Sequence, residues 1–426
     1  MDIFMNVVVI ILNVVMYFFL TFTIYQVVYG LIAIFKKPKK VYRAEKNHKY
    51  GVLISARDEA NVIGNLIDSI KNQNYPQDLL HIFVIADNCT DNTKDVAEEH
   101  GAEVVERFNK EEIGKGYAMN YLLKYIDNKY GYDSFDGFLV FDADNLLDEN
   151  YIKEMNDYFD SPYRIVTSYR NSKNFDSNWL SAGTGLFFIK DAIFLNHPRN
   201  LVNTSALVSG CGFMFKKEIA IENDGWPFHS LVEDAEFSLT HFLKGDKIGY
   251  AKDAVFYDEQ PTRFRDSWNQ RMRWTKGFYQ MCHMFLGKLL KKMFKGSFNA
   301  FDFIATYGAN YSFWALLICN TALPLINIFY YHNDILGVFL PMIIGLGAGY
   351  LGLSMVALLI FIRERKRIKC KSVLKKIWFI LTFPLFVMTY MPISFIAAFM
   401  RVTWKHIPHT ANITNADLDN QKDNSK

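Results

Sequence analysis

Acidic residues follow two apolar runs in the middle of this 426-residue chain. Asp87 comes directly after HIFVIA, and Asp142 and Asp144 come directly after GFLVF as the triplet Asp-Ala-Asp. A carboxylate at the end of a buried strand can hold a divalent metal through its oxygens or accept a ribose hydroxyl group. The alternative is that these aspartates only cap turns, as many surface acids do.

Two further motifs lie nearer the C terminus. Glu233 and Asp234 open a predicted helix, where acids either cap the first turn or take part in chemistry. Gln270, Arg273 and Trp274 belong to a Q-x-x-R-W motif. Arginine can bind a pyrophosphate and tryptophan can stack on a sugar ring, although the same residues would also suit an ordinary amphipathic patch.

Residues 45–277 alternate between predicted strands and predicted helices. The predicted strands are the short apolar runs Tyr50–Ser55, His81–Ala86, Glu103–Arg107 and Gly137–Phe141. The segments Asp58–Gln73, Asp91–His100 and Lys115–Tyr125 separate or follow them with helical character. This alternation predicts an α/β, Rossmann-like domain with a mostly parallel sheet, which binds its ligands at the carboxyl ends of the strands.

Four stretches without Asp, Glu, Lys or Arg flank this region. They are Ile3–Phe35, Phe303–Asn333, Ile335–Ile362 and Ile377–Met400. Each exceeds the roughly 20 residues that a helix needs to cross the hydrocarbon core. The basic residues between them favour a cytosolic face for 36–300 and 363–376, with the N terminus and the His332–Asp334 turn outside. Pro384 and Pro392 interrupt the fourth stretch, which leaves either side open for the C-terminal tail.

The composition argues against several classes of protein. Lys plus Arg number 47 and Asp plus Glu number 44, and this balance does not favour a nucleic-acid binder held by bulk charge. Hydrophobic residues make up 50% of the chain, which is incompatible with a disordered protein. The five cysteines lie far apart without a C-x-x-C pair, so a zinc knuckle or a disulfide framework is not expected.

Taken together, the motifs resemble the membrane-bound family-2 glycosyltransferases, which include hyaluronan, chitin, cellulose and poly-N-acetylglucosamine synthases. The resemblance covers about Ser55–Trp274 and rests on the order D, D-x-D, E-D and Q-x-x-R-W. Val232 departs from the family, which more often has Thr or Ser there, and four membrane segments are few for a synthase that exports its polymer. Further segments that match are Ser55–Glu59, Ala86–Asp91, Gly114–Asn120, Ser209–Phe213 and Glu259–Thr262.

The resemblance implies an inverting, metal-dependent transferase domain for a UDP-sugar, inserted between transmembrane helices. Asp234 would be the base that deprotonates the acceptor, beside Glu233. The metal, Mg²⁺ or Mn²⁺, would bind Asp144 and Asp142. The implied donor-binding residues are Arg57, Glu59, Asp87, Lys115, Asp142 and Arg273. The implied acceptor-binding residues are Gln270, Trp274, Cys211 and Gly212.

The predicted organisation has five parts. They are a membrane anchor (1–40), a cytosolic transferase domain (45–277), an amphipathic interface helix (278–300), a membrane region of about three segments (301–400) and a polar tail (401–426). The interface helix could instead pack on the transferase domain, and the polar stretch Asn412–Lys426 is predicted to be disordered.

The favoured function is the synthesis and export of a β-linked polysaccharide at the cell membrane, with a homo-oligomer or an export partner compatible with the small membrane region. A transferase that adds one sugar to a lipid acceptor is the main alternative. An inactive scaffold subunit is disfavoured because Asp144, Asp234 and Arg273 are all present. A transporter is disfavoured because the four apolar stretches carry no charged residues.

Overall fold

The structure is a computed structural model that describes residues 2–37, 42–404 and 406–418. Residues 38–41, Lys405 and 419–426 belong to the predicted anchor, linker and tail, and they lie outside the described residues. The strands are β1 (Tyr50–Ala56), β2 (Leu80–Asp87), β3 (Glu103–Arg107), β4 (Gly137–Asp142), β5 (Leu146–Leu147), β6 (Ile165–Ser172), β7 (Phe213–Lys216) and β8 (Ile248–Asp258).

The eight strands form one sheet with the order β3-β2-β1-β4-β7-β6-β8-β5. Strands β3, β2, β1 and β4 are mutually parallel, and β6 pairs with β8 in parallel. Strand β7 is antiparallel to both of its neighbours, and β5 is antiparallel to β8. The predicted α/β class with a mostly parallel sheet is therefore confirmed.

Helices cover both faces of this sheet. The helices are α1 (Asp2–Phe35), α2 (Ile63–Lys71), α3 (Thr93–Glu99), α4 (Lys115–Tyr130), α5 (Tyr151–Asn156), α6 (Trp179–Asp191), α7 (His197–Leu201), α8 (Lys217–Asn223), α9 (Glu233–Lys244), α10 (Phe264–Phe294), α11 (Phe298–Tyr307), α12 (Ala309–Phe329), α13 (Ile335–Arg363), α14 (Val373–Met388) and α15 (Tyr390–Phe399). A π-helical turn, Ala192–Asn196, joins α6 to α7. Along β1, Leu53 enters the apolar core on one face of the sheet, and Val52 and Ile54 enter the core on the other. This explains why the central parallel strands are nearly continuous apolar runs.

Four segments are long and apolar enough to cross a membrane: Ile3–Phe35, Ala309–Phe329, Ile335–Arg363 and Val373–Phe399. The segment Val373–Phe399 comprises two helices. Helix α14 packs against α6, and helix α15 packs against α10. Near its start, Lys375 donates a hydrogen bond to the Asp176 carbonyl oxygen at 2.9 Å. Beyond its end, His409 contacts Glu59 of the transferase domain. Both ends of this segment therefore meet the same domain, which agrees with the alternative in which the tail returns to that side.

The predicted interface helix is the second half of a longer helix. Helix α10 begins at Phe264 and already contains the Q-x-x-R-W motif. Its Met281, Phe285 and Leu289 are buried in a cluster with residues of α9 and α11. This apolar face therefore packs on protein, as in the alternative weighed for the segment. The helical spacing of the apolar residues would be the same whether the membrane or the protein covered this face, so the sequence pattern alone does not distinguish the two.

A buried ion pair fixes α1 to the transferase domain. Arg199 of α7 bonds Asp302 of α11 through Nε and Nη2, each at 2.7 Å. Tyr25 and Tyr29 of α1 donate to the same carboxylate at 3.0 and 3.1 Å. A buried carboxylate is tolerated when it is paired and fully hydrogen-bonded, and here three helices must meet to achieve this.

Residues 412–418, the described part of the stretch predicted to be disordered, make contacts with the transferase domain, and the rest of that stretch lies outside the described residues. Asn412 accepts a hydrogen bond from Asn65 at 2.6 Å. Asn415 donates to the Leu147 carbonyl oxygen at 3.0 Å. Polar composition suggested disorder, but these polar groups are used in contacts with the transferase domain.

Candidate active site

One cavity of about 750 Å³ extends from the carboxyl ends of the strands to the membrane-candidate helices. Its donor end, as we call it here, carries Asp87, the last residue of β2, and Asp144, just beyond the end of β4. Its far end is lined by Phe313 of α12, Leu353 of α13 and Met391 of α15. The carboxyl ends of parallel strands are the usual ligand-binding edge of an open α/β sheet, and the cavity follows this rule.

Most of the predicted site residues line this cavity. They are Arg57, Glu59, Asp87, Lys115, Asp142, Asp144, Glu233, Asp234, Gln270, Arg273 and Trp274. Cys211 and Gly212 are not among the described residues that line it, and Ser209 and Gly210 stand in their place. A Cβ at Gly212 would lie 2.1 Å from the ring of Phe256, which places this glycine against the sheet. The left-handed φ values of Gly210 (+77°) and Gly212 (+65°) turn the chain away from the cavity into β7.

Carboxylates concentrate at the donor end. Asp144 is buried, and its Oδ2 accepts a hydrogen bond from the Glu259 backbone N–H at 2.7 Å. Asp258, the last residue of β8, is buried too, and its Oδ1 has no hydrogen-bond partner among the described residues. Burial raises the pKa of Asp258 to about 6, with Arg170 opposing the shift and Asp144 adding to it. Carboxylate oxygens are the ligands that Mg²⁺ and Mn²⁺ prefer, but Asp142, Asp144 and Asp258 are not among the described groups of three whose ligand atoms lie within 4.8 Å of one another.

Lys115, the first residue of α4, connects the two sides of the cavity. Its ammonium donates to Asp142 Oδ1 at 2.5 Å and to the Gly210 carbonyl oxygen at 2.9 Å. The Gly210 N–H in turn donates to Asp234 Oδ2 at 2.5 Å. Burial opposes the charged form of Asp142, but Lys115 holds the pKa of this carboxyl below its usual range. One lysine thus orients a predicted metal ligand, Asp142, and, through one glycine, the predicted base.

The two acids that open α9 do not act as its cap. Val232 is the N-cap residue and makes no side-chain capping bond, and the Asp234 carboxylate bonds Gly210 of a different segment. Burial and the adjacent Asp234 raise the pKa of Glu233 to about 7, against the effects of Lys115 and Arg273. The geometry therefore favours a chemical use of this pair over the capping alternative.

The middle of the cavity carries aromatic and amide groups of α10. Gln270 and Trp274 are four residues apart and share one face of the helix. The Trp274 ring meets Phe188 edge to face, with 5.5 Å between the ring centroids. Gln270 Oε1 is buried and has no hydrogen-bond partner in the part of the chain that the structure describes. Arg273 Nη1 donates to the Leu231 carbonyl oxygen at 2.9 Å. This surface offers a stacking platform and an open acceptor atom for a sugar ring.

Sequence analysis missed Arg170, which lines the cavity from β6. Its Nε donates to Asp258 Oδ2 at 2.5 Å, and its guanidinium lies 3.7 Å from the Phe188 ring centroid. Arg170 thus joins the carboxylate end to the aromatic middle. No motif marks it, since a single arginine within a strand carries no local signal.

The C-terminal segment 404–411, which we call the tail segment, was also missed as part of the site. His409 Nδ1 lies 2.8 Å from Glu59 Oε1, and the Arg57 guanidinium lies 5.0 Å from the Trp404 ring centroid. The Thr410 N–H donates to the Glu259 carboxylate at 3.0 Å. Burial opposes the charged form of His409, but Asp144 and Glu59 raise its pKa to about 10. Burial also raises the pKa of Glu59 to about 7, although His409 lowers it. At neutral pH the protonated ring of His409 therefore lies beside Glu59, which is predicted to contact the nucleotide.

Asp58, Cys89 and Asp91 form a separate group beside the donor end, with ligand atoms within 4.8 Å of one another. Asp58 Oδ1 accepts hydrogen bonds from the Thr90 N–H and hydroxyl group, and Asp91 Oδ1 accepts from Thr93. These carboxylates therefore order the loop rather than face the cavity.

The sheet and its strand-end site define a GT-A-like nucleotide-sugar transferase fold. Residues 48–277 match the family described as glycosyltransferase like family 2, and the chain belongs to this family. It is a glycosyltransferase of the inverting kind that uses a nucleotide-sugar donor.

Curated relatives include enzymes with different acceptors. The probable glycosyltransferase YdaM of Bacillus subtilis is 25% identical over 74% of this chain and 75% of the relative. The β-monoglucosyldiacylglycerol synthase of Synechocystis is 25% identical over 54% of this chain and 47% of the relative. The poly-β-1,6-N-acetyl-D-glucosamine synthase of Staphylococcus aureus is 22% identical over 54% of each. The chain thus spans about half the length of the two synthases.

Among solved structures, the mannosyltransferase PcManGT of Pyrobaculum calidifontis, in complex with GDP-mannose and Mn²⁺, is similar with a TM-score of 0.57. The similarity covers 92% of this chain and 98% of that chain at 16% identity. At this identity the similarity supports the fold, including the arrangement of helices around the domain, and not the choice of sugar.

Proposed function

We propose that the protein is a membrane glycosyltransferase that adds sugars from a UDP-sugar to a growing β-linked glycan and passes the product into its membrane helices. The observation that carries the proposal is the single cavity, which joins the strand-end carboxylates to α12, α13 and α15. A growing chain held at Trp274 could leave the site directly along this path. The transferase domain would lie in the cytosol, where UDP-sugars are made.

At the donor end, Asp144 and Asp142 would hold Mg²⁺ or Mn²⁺, and Asp258, whose pKa burial and Asp144 raise, lines the same cavity. The metal would supply a Lewis acid for the departing diphosphate. The buried Asp258 Oδ1 without a partner supports this assignment. Arg57, Glu59 and Asp87 would contact the nucleotide, and a 2.7 Å ion pair between Asp87 and Arg107 holds that aspartate in place.

At the acceptor side, Asp234 would take the proton of the attacking hydroxyl group, the usual task of a carboxylate within hydrogen-bond reach. Burial and Asp234 raise the pKa of Glu233 to about 7, so this carboxyl would be only partly ionised beside Asp234 at neutral pH. Trp274 would stack on the acceptor sugar, and Gln270 would bond one of its hydroxyl groups. Attack opposite the leaving diphosphate inverts the anomeric carbon, so an α-linked donor gives a β-linked product.

A second candidate is the transfer of a single sugar to a lipid. The observation in its favour is the apolar character of the far end, where Phe278, Phe313, Leu353 and Met391 line the cavity. An acyl chain would fit such a surface as well as a glycan would. The similarity to a glucosyldiacylglycerol synthase also supports it.

The test is a donor screen on the full-length protein in nanodiscs. UDP release would be measured for a panel of UDP-sugars with Mn²⁺, with Mg²⁺ and with EDTA, and labelled product would be sized in the same reaction. Metal-dependent polymer formation would support the first proposal. Turnover that requires an added lipid and stops after one sugar would support the second. The Asp234→Asn variant should slow formation of either product by about 10²–10⁴-fold, so a product formed at more than a tenth of the wild-type rate would contradict the assignment of Asp234 as the base.

A further inference from the structure

A second cavity, which we call the junction pocket, has a volume of about 460 Å³. It shares part of its wall with the cavity of about 750 Å³ described above, which we call the central cavity. In the π-helical turn, Ala192 and Ile193 line the junction pocket, and Leu195 lines the central cavity. On β6, Tyr169 lines the junction pocket and the next residue, Arg170, lines the central one. The two cavities therefore lie on opposite sides of these shared elements.

The lining of the junction pocket is strongly basic. It includes Lys252, Arg363, Arg365, Lys366 and Arg367, with Glu364 as the acidic residue among the lining side chains. The Glu364 carboxylate already accepts the Tyr169 hydroxyl group at 3.1 Å, and Arg367 lies 3.7 Å from it. Asp253, nearby, pairs with Arg367 at 3.1 Å and with Lys252 at 3.3 Å. Arg365 and Lys366 make no ion pair with any described residue, so the pocket keeps an excess of positive charge.

Two polar side chains in its wall are buried without partners. Tyr250 is 1% exposed and its hydroxyl group has no hydrogen-bond partner among the described residues. His197 is 9% exposed and its Nδ1 also lacks one. Burial, together with Arg363 and Lys252, lowers the pKa of His197 to about 4, so the ring is neutral at physiological pH. Unpaired buried polar groups are unfavourable, and ligand oxygens would satisfy both of them.

The position of the junction pocket suggests where such a ligand comes from. Helix α13 is apolar enough to cross a membrane and ends at Arg363, which lines the pocket. Leu351, Met355 and Ile362 on this helix are exposed, as expected for a surface in contact with lipid tails. The basic residues thus follow directly after the membrane-candidate segment, where the phosphates of a bilayer would lie if α13 spans it. Basic pockets beside membrane helices are known to hold anionic headgroups.

We propose that the junction pocket binds a phosphate group, and that the phosphate is that of an anionic phospholipid. Arg363 and Lys366 supply charge at the mouth, and the Tyr250 hydroxyl group donates a hydrogen bond from the buried wall. The site is separate from the proposed sugar-transfer chemistry and does not depend on it.

Native mass spectrometry of the full-length protein, titrated with phosphatidylglycerol in detergent, tests the proposal. The pocket variant combines Arg363→Gln with Lys366→Gln. Its matched control, Lys288→Gln with Lys291→Gln, removes the same charge from exposed positions on α10. We expect the pocket variant to weaken phosphatidylglycerol binding at least about tenfold and the control less than about twofold. Equal losses in both variants would overturn the proposal, because they would indicate diffuse surface attraction.

Tyr250→Phe provides a second variant that removes only one oxygen atom and leaves the packing unchanged. It should weaken phosphatidylglycerol binding about fivefold. Wild-type affinity in this variant would refute the assignment of the buried donor. Inorganic phosphate, added to protein in phosphatidylcholine nanodiscs with and without phosphatidylglycerol, distinguishes the two sources. Failure of inorganic phosphate to displace phosphatidylglycerol supports a lipid ligand, whereas phosphate binding without any phosphatidylglycerol binding would overturn it.

Discussion

Replacement of Lys115 by methionine should disable both sides of the active site at once. Methionine keeps most of the side-chain length and removes the ammonium group, which bonds Asp142 at 2.5 Å and the Gly210 carbonyl oxygen at 2.9 Å. Gly210 carries the N–H that orients Asp234. The variant would therefore lose a counter-charge at the metal site and the anchor of the loop that positions the base.

The size of the effect follows from these two bonds. A hydrogen bond that involves a charged group contributes about 1.5–3 kcal/mol. The Lys115 and Asp142 side chains are 18% and 35% exposed, so solvent screens them and the lower value applies. Two bonds at that value give about 3 kcal/mol. Since each 1.36 kcal/mol is a factor of ten in rate, kcat/KM should fall by about 150-fold.

The pH dependence gives an independent measurement. In the wild type, Lys115 keeps the pKa of Asp142 low against the effect of burial, so this carboxylate stays charged in mild acid. Without the lysine, burial raises that pKa, and the acid limb of the kcat/KM profile should move to higher pH. UDP release measured across the pH range reports both quantities. Lys124→Met, on the same helix and paired with the exposed Asp224, is the matched control and should change neither. A loss below tenfold with an unmoved acid limb would refute the reasoning.

Three further predictions concern the base, the metal and the attachment of α1. Asp234→Asn should lower kcat by about 10²–10⁴-fold and leave the donor KM unchanged, since asparagine can still accept the Gly210 N–H; kcat above a tenth of wild type would contradict this role. EDTA should abolish UDP release and Mn²⁺ or Mg²⁺ should restore it, whereas full activity in EDTA would exclude the metal site. Arg199→Met should destabilise the fold by about 3–5 kcal/mol because it leaves Asp302 buried and unpaired. Lys217→Met, in an exposed pair with Asp133, should cost less than about 1 kcal/mol, and equal shifts in Tm would contradict the argument.

The central strands were predictable because they are buried on both faces. The predicted strand His81–Ala86 corresponds to β2, Leu80–Asp87, and the predicted strand Gly137–Phe141 corresponds to β4, Gly137–Asp142. A parallel strand covered on both sides leaves a continuous apolar run that ends where the backbone reaches the polar edge. The acids at that edge are therefore visible in the sequence, and the cavity contains them.

Orientations were much harder to predict. Cys211 and Gly212 belong to a segment that matches the family, yet two left-handed glycines decide that Ser209 and Gly210 face the cavity instead. The apolar face of α10 posed the same problem, because burial by protein and burial by lipid require the same helical spacing. A sequence pattern records that a side chain is covered, but it does not record what covers it.

The donor end shows why no short stretch of sequence could encode the whole site. Glu59, Asp142, Asp144, Asp258 and Glu259 bring like charges into one cavity, which is unfavourable unless cations are interleaved with them. The cations come from three distant segments: the start of α4, the middle of β6 and the tail segment. The partners in the last pair are 350 residues apart in the chain. Each segment alone has an unremarkable charge, and the site becomes stable only when all three are assembled. This arrangement makes the described part of the tail a component of the donor end, although its composition alone predicted a polar tail.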